Sequence, residues 1–166
     1  LLADISSSYF TEGDVASAWL TSARLARKGK NTHQSFNAVL HASQLKDDSA
    51  TIEHARLLWQ EGHHRKAIQN LQTAIENNTF ISHNRAVGMT YTGVDASDQQ
   101  NFLTARAHLL LAKWLDSAGQ THSQKLRSQY QLAAKTHSKW EKGHYYLGRH
   151  YNKLLDTEKN LPREKQ

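Results

Sequence analysis

The sequence predicts an all-α fold of antiparallel helical hairpins, a tetratricopeptide-like α-solenoid, and three observations predict it. Pro162 is the only proline among 166 residues, where average usage would place roughly eight, so almost nothing interrupts a helix. Apolar and small residues recur at helical spacing over most of the chain. Small residues also return at fixed offsets from one hairpin to the next, which is the signature of a repeat.

Taken in order, Val15, Ala18, Trp19, Ser22, Ala23 and Ala26 share one helical face. Asp14 is placed to cap this helix and Gly29 to end it. A second helix is expected over about Thr32 to Ser43, carrying Phe36, Val39, Leu40 and Ala42. After a polar break at Lys46-Asp47-Asp48, with Asp48 as N-cap, a third bears Ile52, Ala55, Leu58 and Trp59 up to Gly62. The fourth, about His64 to Asn77, sets Ala67, Ile68, Leu71, Ala74 and Ile75 on one side and Lys66, Gln69, Asn70 and Thr73 elsewhere. The third and fourth form a hairpin. From Asn78 to Gln100 the periodicity is lost and Gly88 and Gly93 intervene, which predicts a long flexible loop with at most a short helix. Periodicity returns with Leu103, Ala107, Leu110, Leu111, Trp114, Leu115 and Ala118, ending at Gly119. Thr121 with Gln124 has the pattern of a capping box for a helix carrying Leu126, Tyr130 and Ala133. The last helix shows Trp140, His144, Leu147, Tyr151, Leu154 and Leu155 and fades before Pro162. That makes seven main helices, and Leu1 to Phe10 is expected to be the end of an eighth.

The repeat is explicit from Ala55, where Leu58, Gly62, Ala67, Leu71 and Ala74 all fit the tetratricopeptide offsets, and looser from Ala23, where Ala26, Lys30, Ser35, Val39 and Ala42 take the same offsets with Lys30 in place of the glycine. Leu147-Gly148 followed by Tyr151 reproduces the first-helix part. Small residues let the two helices of a hairpin approach, and large ones fill the groove to the next hairpin. Residues 1–166 are therefore expected to be a single helical-repeat segment, and a start at Leu1-Leu2-Ala3 with Met89 as the only methionine suggests a piece of a longer polypeptide.

Composition excludes several functions. Without cysteine there is neither a disulfide framework nor a thiolate metal site. No apolar stretch approaches the length of a membrane span, and the first residues lack the layout of a signal peptide, so no membrane partner is expected and the Asn77-Asn78-Thr79 glycosylation pattern carries little. The net charge of +6 admits an acidic partner. Arg24, Arg27, Lys28 and Lys30, however, cluster at one predicted helix end, where cations offset the dipole on a solvated face. No aromatic residues interleave with them, so no direct nucleic-acid contact is expected.

The search for chemistry yields no catalytic, cofactor-binding or metal-ligating residue. Gly88 to Gly93 has phosphate-loop spacing, but Val94-Asp95 stands where Lys and Ser or Thr must follow. His64-Arg65 is followed by Lys66 rather than the aspartate of a kinase catalytic loop. His63 and His64 point about 100° apart on a helix with no acidic or histidine partner four residues away, and are placed as exposed turn residues. His144 and His150 fall on different faces. Trp19, Trp59, Trp114 and Trp140 each sit on their own apolar stripe, which argues for core packing over a cation cage. Ser43-Gln44, Ser123-Gln124 and Ser128-Gln129 match the short target of DNA-damage kinases, a motif about as frequent by chance in such a composition.

Three stretches taken together carry a family resemblance: Ala50 to Leu71, Arg106 to Leu115, and Trp140-Glu141-Lys142-Gly143-His144 leading into Leu147-Gly148 and Tyr151. They resemble the FAT region of the phosphatidylinositol 3-kinase-related protein kinases, and within it the ATR checkpoint kinases. The resemblance covers about Ala16 to Leu155 apart from the segment Asn78 to Gln100. It implies a non-catalytic helical solenoid that braces a serine/threonine kinase domain further along the chain. It also implies a nuclear parent that uses ATP and magnesium, acts in the DNA damage checkpoint and in DNA repair, and pairs with an ATRIP-type partner. The alternatives are the FAT region of a related kinase such as ATM, or a freestanding tetratricopeptide adaptor. An adaptor should present a repeated row of Asn, Lys and Arg on its inner face, and no such row repeats here.

Overall fold

The computed structural model describes residues 12–45, 47–77, 79–82, 96–119 and 121–160. The described residues form helices α1 (Glu12–Lys28), α2 (Thr32–Gln44), α3 (Ser49–Gln60), α4 (His64–Glu76), α5 (Thr79–Ser82), α6 (Ala96–Ala118), α7 (Ser123–Thr136) and α8 (Glu141–Asn160). No strand occurs among the described residues, whose regular structure is all helical. Packing divides it into two compact units, Leu1–Met89 and Thr90–Gln166.

In the first unit α1 packs on α2, α2 on α3 and α3 on α4, and α1 also touches α3. Alternate helices in contact are the mark of stacked hairpins. The repeat register is visible in the burial. Ala23, Ala26, Ser35, Val39 and Ala42 are all buried, as are Ala55, Leu58, Ala67, Leu71 and Ala74. The small-residue contact is direct in the first hairpin, where the buried Ser35 hydroxyl donates to the Ala23 carbonyl at 2.8 Å. Both hairpins turn in the same way. Asn31 N–H donates to Ala26 O at 2.8 Å and Lys30 N–H to Arg27 O at 3.0 Å, while His63 N–H donates to Leu58 O at 2.9 Å and Gly62 N–H to Trp59 O at 3.1 Å. This is the Schellman pattern, which puts one residue in the left-handed region. Gly62 takes it at φ 87° in one hairpin, and Lys30 takes it at φ 59° in the other. The two turns are tied together, because Gln60 donates to Arg27 O at 3.1 Å and the Thr32 hydroxyl to Glu61 at 2.7 Å.

Several local expectations differ from the structure. Helix α1 begins at Glu12, so Asp14 lies within its first turn rather than capping it. Its buried line is Ala16, Leu20, Ala23 and Ala26, and Ala18 is exposed. Alanine lacks the hydropathy contrast that would distinguish these neighbouring lines. The cap ahead of α3 is made by Asp47, whose carboxylate accepts from Ser49 N–H at 2.9 Å, whereas Asp48 makes no side-chain cap. His122 rather than Thr121 caps α7, its Nδ1 accepting from Gln124 N–H at 3.4 Å. Leu40 is exposed. The expected end of a helix at Leu1 to Phe10 lies outside the described residues, as does most of the expected loop at 78–100, of which α5 with buried Phe80 and the start of α6 are described.

In the second unit α6 packs on α7, α7 on α8, and α6 touches α8. Helix α6 is buried at Ala105, Ala107, Leu109, Leu111, Ala112, Trp114 and Leu115. The face of α8 turned inward carries Gly143 and His150, and His144, Tyr151 and Leu155 are exposed. This rotates the expected apolar face. Gly143 explains the rotation, because a β-carbon there would stand 3.2 Å from Ala134 Cα and 3.5 Å from Ala133 O, so glycine lets α8 lie against α7.

Candidate interaction surface

Two polar clusters stand out, one in each unit. In the first, Glu53 of α3 is 1% exposed yet carries a carboxylate. Arg27 Nε of α1 donates to its Oε1 at 2.5 Å, and Arg24 Nε lies 3.7 Å from its Oε2. A buried carboxylate is tolerated only when paired. Arg56 completes the cluster. Burial pushes its guanidinium below the ordinary arginine value, Glu53 opposes that, and Arg27 and Arg24 reinforce it. The basic end of α1 is thus only partly a solvated face, because Arg24 and Arg27 reach inward and clamp α3 to α1. This cluster is structural: its carboxylate is sealed from solvent by arginines.

The second cluster lines a groove of about 260 Å³ between α6 and α8. Asp116 of α6 accepts from Lys153 at 3.1 Å and from the Tyr130 hydroxyl at 3.4 Å. Burial and the Asp116 charge push the Tyr130 phenol up to about 12. Lys113 donates to the Tyr146 hydroxyl at 3.3 Å and sits 4.5 Å from that ring's centroid. The hydrogen bond from Lys113 and its charge hold the Tyr146 phenol below its ordinary value. His150, 6% exposed, stacks on Tyr130 at 5.0 Å, and neither ring nitrogen has a protein partner. Burial holds this imidazole below its usual pKa.

The histidines and tryptophans singled out in the sequence are not brought together. His63 and His64 are exposed, with His64 stacked on Trp59 at 4.0 Å. Trp19 stacks on His41 at 4.3 Å, and Trp140 meets Phe102 edge-on at 5.4 Å. His144 is exposed and donates to Ser138 O at 2.6 Å. Among the described residues no group of three or more His, Cys, Asp or Glu is arranged to hold a metal, and no described helix is long and apolar enough to cross a membrane. The Ser43, Ser123 and Ser128 side chains of the serine-glutamine pairs are exposed. The phosphate-loop spacing at 88–93 lies outside the described residues. Glu53 was not singled out in the sequence, and of the groove residues only Tyr130, as a core residue, and His150, as a histidine apart from His144, were. Lys113, Asp116 and Ser117 do share an i, i+3, i+4 face, as do Tyr146, Arg149, His150 and Lys153, but polar helix faces are usually solvated.

Stacked hairpins, an ion-paired core and a polar groove define a helical-repeat protein. Comparison with known proteins places it further. The FAT domain family model matches residues 3–166, and the chain belongs to that family. As a FAT domain the segment is non-catalytic. It is 35% identical over 160 residues to protein kinase rad3 of Schizosaccharomyces pombe, covering 91% of this chain and 6% of that protein. It is 28% identical over 138 residues to serine/threonine-protein kinase MEC1 of Candida albicans, covering 83% and 5%. With serine/threonine-protein kinase ATR of Oryza sativa subsp. indica it shares 27% identity over 148 residues, covering 82% and 6%. The chain thus spans about one-twentieth of the length of these relatives. They do not favour the ATM-type or freestanding adaptor alternatives. No solved structure matches.

Proposed function

We propose that this segment is a scaffold within an ATR-type checkpoint kinase, bracing and regulating a serine/threonine kinase domain carried elsewhere on the parent chain. The observation that carries this is the family match over residues 3–166, joined to relatives that are themselves protein kinases of far greater length. The physical support is stiffness. Hairpins joined through fully buried alanines and a buried arginine-carboxylate clamp transmit displacement rather than absorb it. ATP and magnesium would be used by the parent's kinase domain. Other helical repeats and an ATRIP-type protein would be its partners, and the nucleus its compartment.

The test uses Ala67, fully buried in the α3–α4 hairpin, and Gln69, exposed two residues on. Overpacking at Ala67→Leu should destabilise the segment by about 1–3 kcal/mol, whereas Gln69→Ala should change stability by about 0.5 kcal/mol or less. In the parent kinase, Ala67→Leu should lower phosphorylation of a substrate peptide although this segment is itself non-catalytic. Full activity in a parent whose segment is measurably destabilised would refute the bracing role.

A further inference from the structure

We propose that the groove between α6 and α8 binds the carboxylate side chains of an acidic peptide segment. The site lies wholly within the second unit and is independent of the bracing role. Its walls hold three cations, Lys113, Arg149 and Lys153, against the single carboxylate of Asp116. That carboxylate is already engaged by Lys153 and Tyr130. Lys113 is hydrogen-bonded to a phenol oxygen, which leaves its charge without a counter-ion there. Arg149 on the neighbouring turn is exposed, with its planar fork of donors suited to a carboxylate.

The buried imidazole of His150 is the second observation. A neutral imidazole always carries one N–H donor. His150 lines the groove, is 6% exposed, and neither of its nitrogens has a partner in the protein. Leaving such a donor unmet is unfavourable, and a carboxylate entering between α6 and α8 to meet the charges of Lys113 and Arg149 would accept from it once the ring turns its closed-off nitrogen into the groove.

The arrangement selects carboxylates over a phosphate group. Asp116 within the wall repels a dianion more than a monoanion. The cations are also spread along the helices, from Lys113 on α6 to Arg149 and Lys153 a turn apart on α8, which suits several single charges along an extended chain better than one concentrated charge.

The experiment titrates a fluorescein-labelled hexaglutamate peptide with the chain at low salt, followed by fluorescence anisotropy. Saturable binding is expected, and Lys113→Gln with Arg149→Gln should weaken it by about tenfold or more. Removing the same charge from exposed positions elsewhere, Lys28→Gln with Lys66→Gln, should change it by about twofold or less. His150→Phe, which keeps the ring's bulk without its donor, should weaken binding severalfold, with circular dichroism confirming that each variant keeps the wild-type helicity. Equal losses from the two paired variants would reduce the effect to general charge attraction and overturn the site, as would the absence of saturation. Tighter binding of a phosphoserine peptide of the same length, dependent on the same residues, would overturn the assignment to carboxylates.

Discussion

Glu53 and Lys30 each hold a position that their residue type ordinarily avoids. Glu53 is buried with Arg27 and Arg24 facing its carboxylate from α1 and Arg56 beside them on α3. Glu53→Gln removes the only negative charge in that contact and leaves the guanidiniums repelling one another. It should destabilise the chain by about 3 kcal/mol or more, read from urea denaturation. Lys30 sits at φ 59°, where the equivalent residue of the next hairpin is Gly62. An L-residue in that region is strained by about 1 kcal/mol, so Lys30→Gly should stabilise by about 0.5–1 kcal/mol and Gly62→Ala should destabilise by a similar amount. A β-carbon at Gly62 would meet nothing within 4 Å, so the second effect isolates backbone conformation from packing. Opposite signs in matched melts would confirm that the two turns are the same motif.

At the scale of the element, α8 shows two glycines with opposite roles. Gly143 is buried where a β-carbon would press on the Ala134 backbone at 3.2 Å, while Gly148 is exposed with nothing within 4 Å. Gly143→Leu should therefore separate α8 from α7 and destabilise by about 1–3 kcal/mol. Gly148→Ala should stabilise by about 0.5–1 kcal/mol, because alanine loses less backbone entropy in a helix. Thermal unfolding of the two variants checks the placement of α8, since a helix rotated to the face suggested by Trp140, His144 and Tyr151 would reverse the order. The rotation was not legible in sequence because the strongest inward signal is the absence of a side chain at Gly143. A hydropathy pattern weighted by large residues follows the tyrosines instead.

For the whole molecule, the buried His150 and the half-buried His54 and His108 contribute to the response to acid. His54, His108 and His150 are all held below their usual pKa, primarily by burial. The folded chain therefore binds fewer protons than the unfolded chain between their folded values and the ordinary value near 6.5. Stability is fully present above about pH 6.5 and falls as pH drops toward the folded values. The urea midpoint should decrease between pH 7.5 and pH 5.5, and His150→Gln should shrink that decrease whatever its effect at pH 7.5. A midpoint unchanged over this interval would contradict the lowering of all three imidazoles by their partial or full burial.

The sequence by itself determined what depends on local spacing: helical content, the Ala23 and Ala55 repeat registers with their buried small residues, the turns expected at Gly29 and Gly62, though Lys30 rather than Gly29 takes the left-handed position, and the family. These follow from the 3.6-residue period and from offsets within one hairpin, both of which survive in a linear reading. Tertiary structure alone decided which polar groups face each other. Glu53 lies 26 residues from Arg27, Asp116 lies 37 from Lys153, and Lys113 lies 33 from Tyr146. A charged side chain on a helix looks the same in sequence whether water or an opposite charge awaits it. Its partner is set by how neighbouring helices rotate about their axes, and that rotation is governed by close contacts such as Ser35 on Ala23 and Gly143 on Ala134.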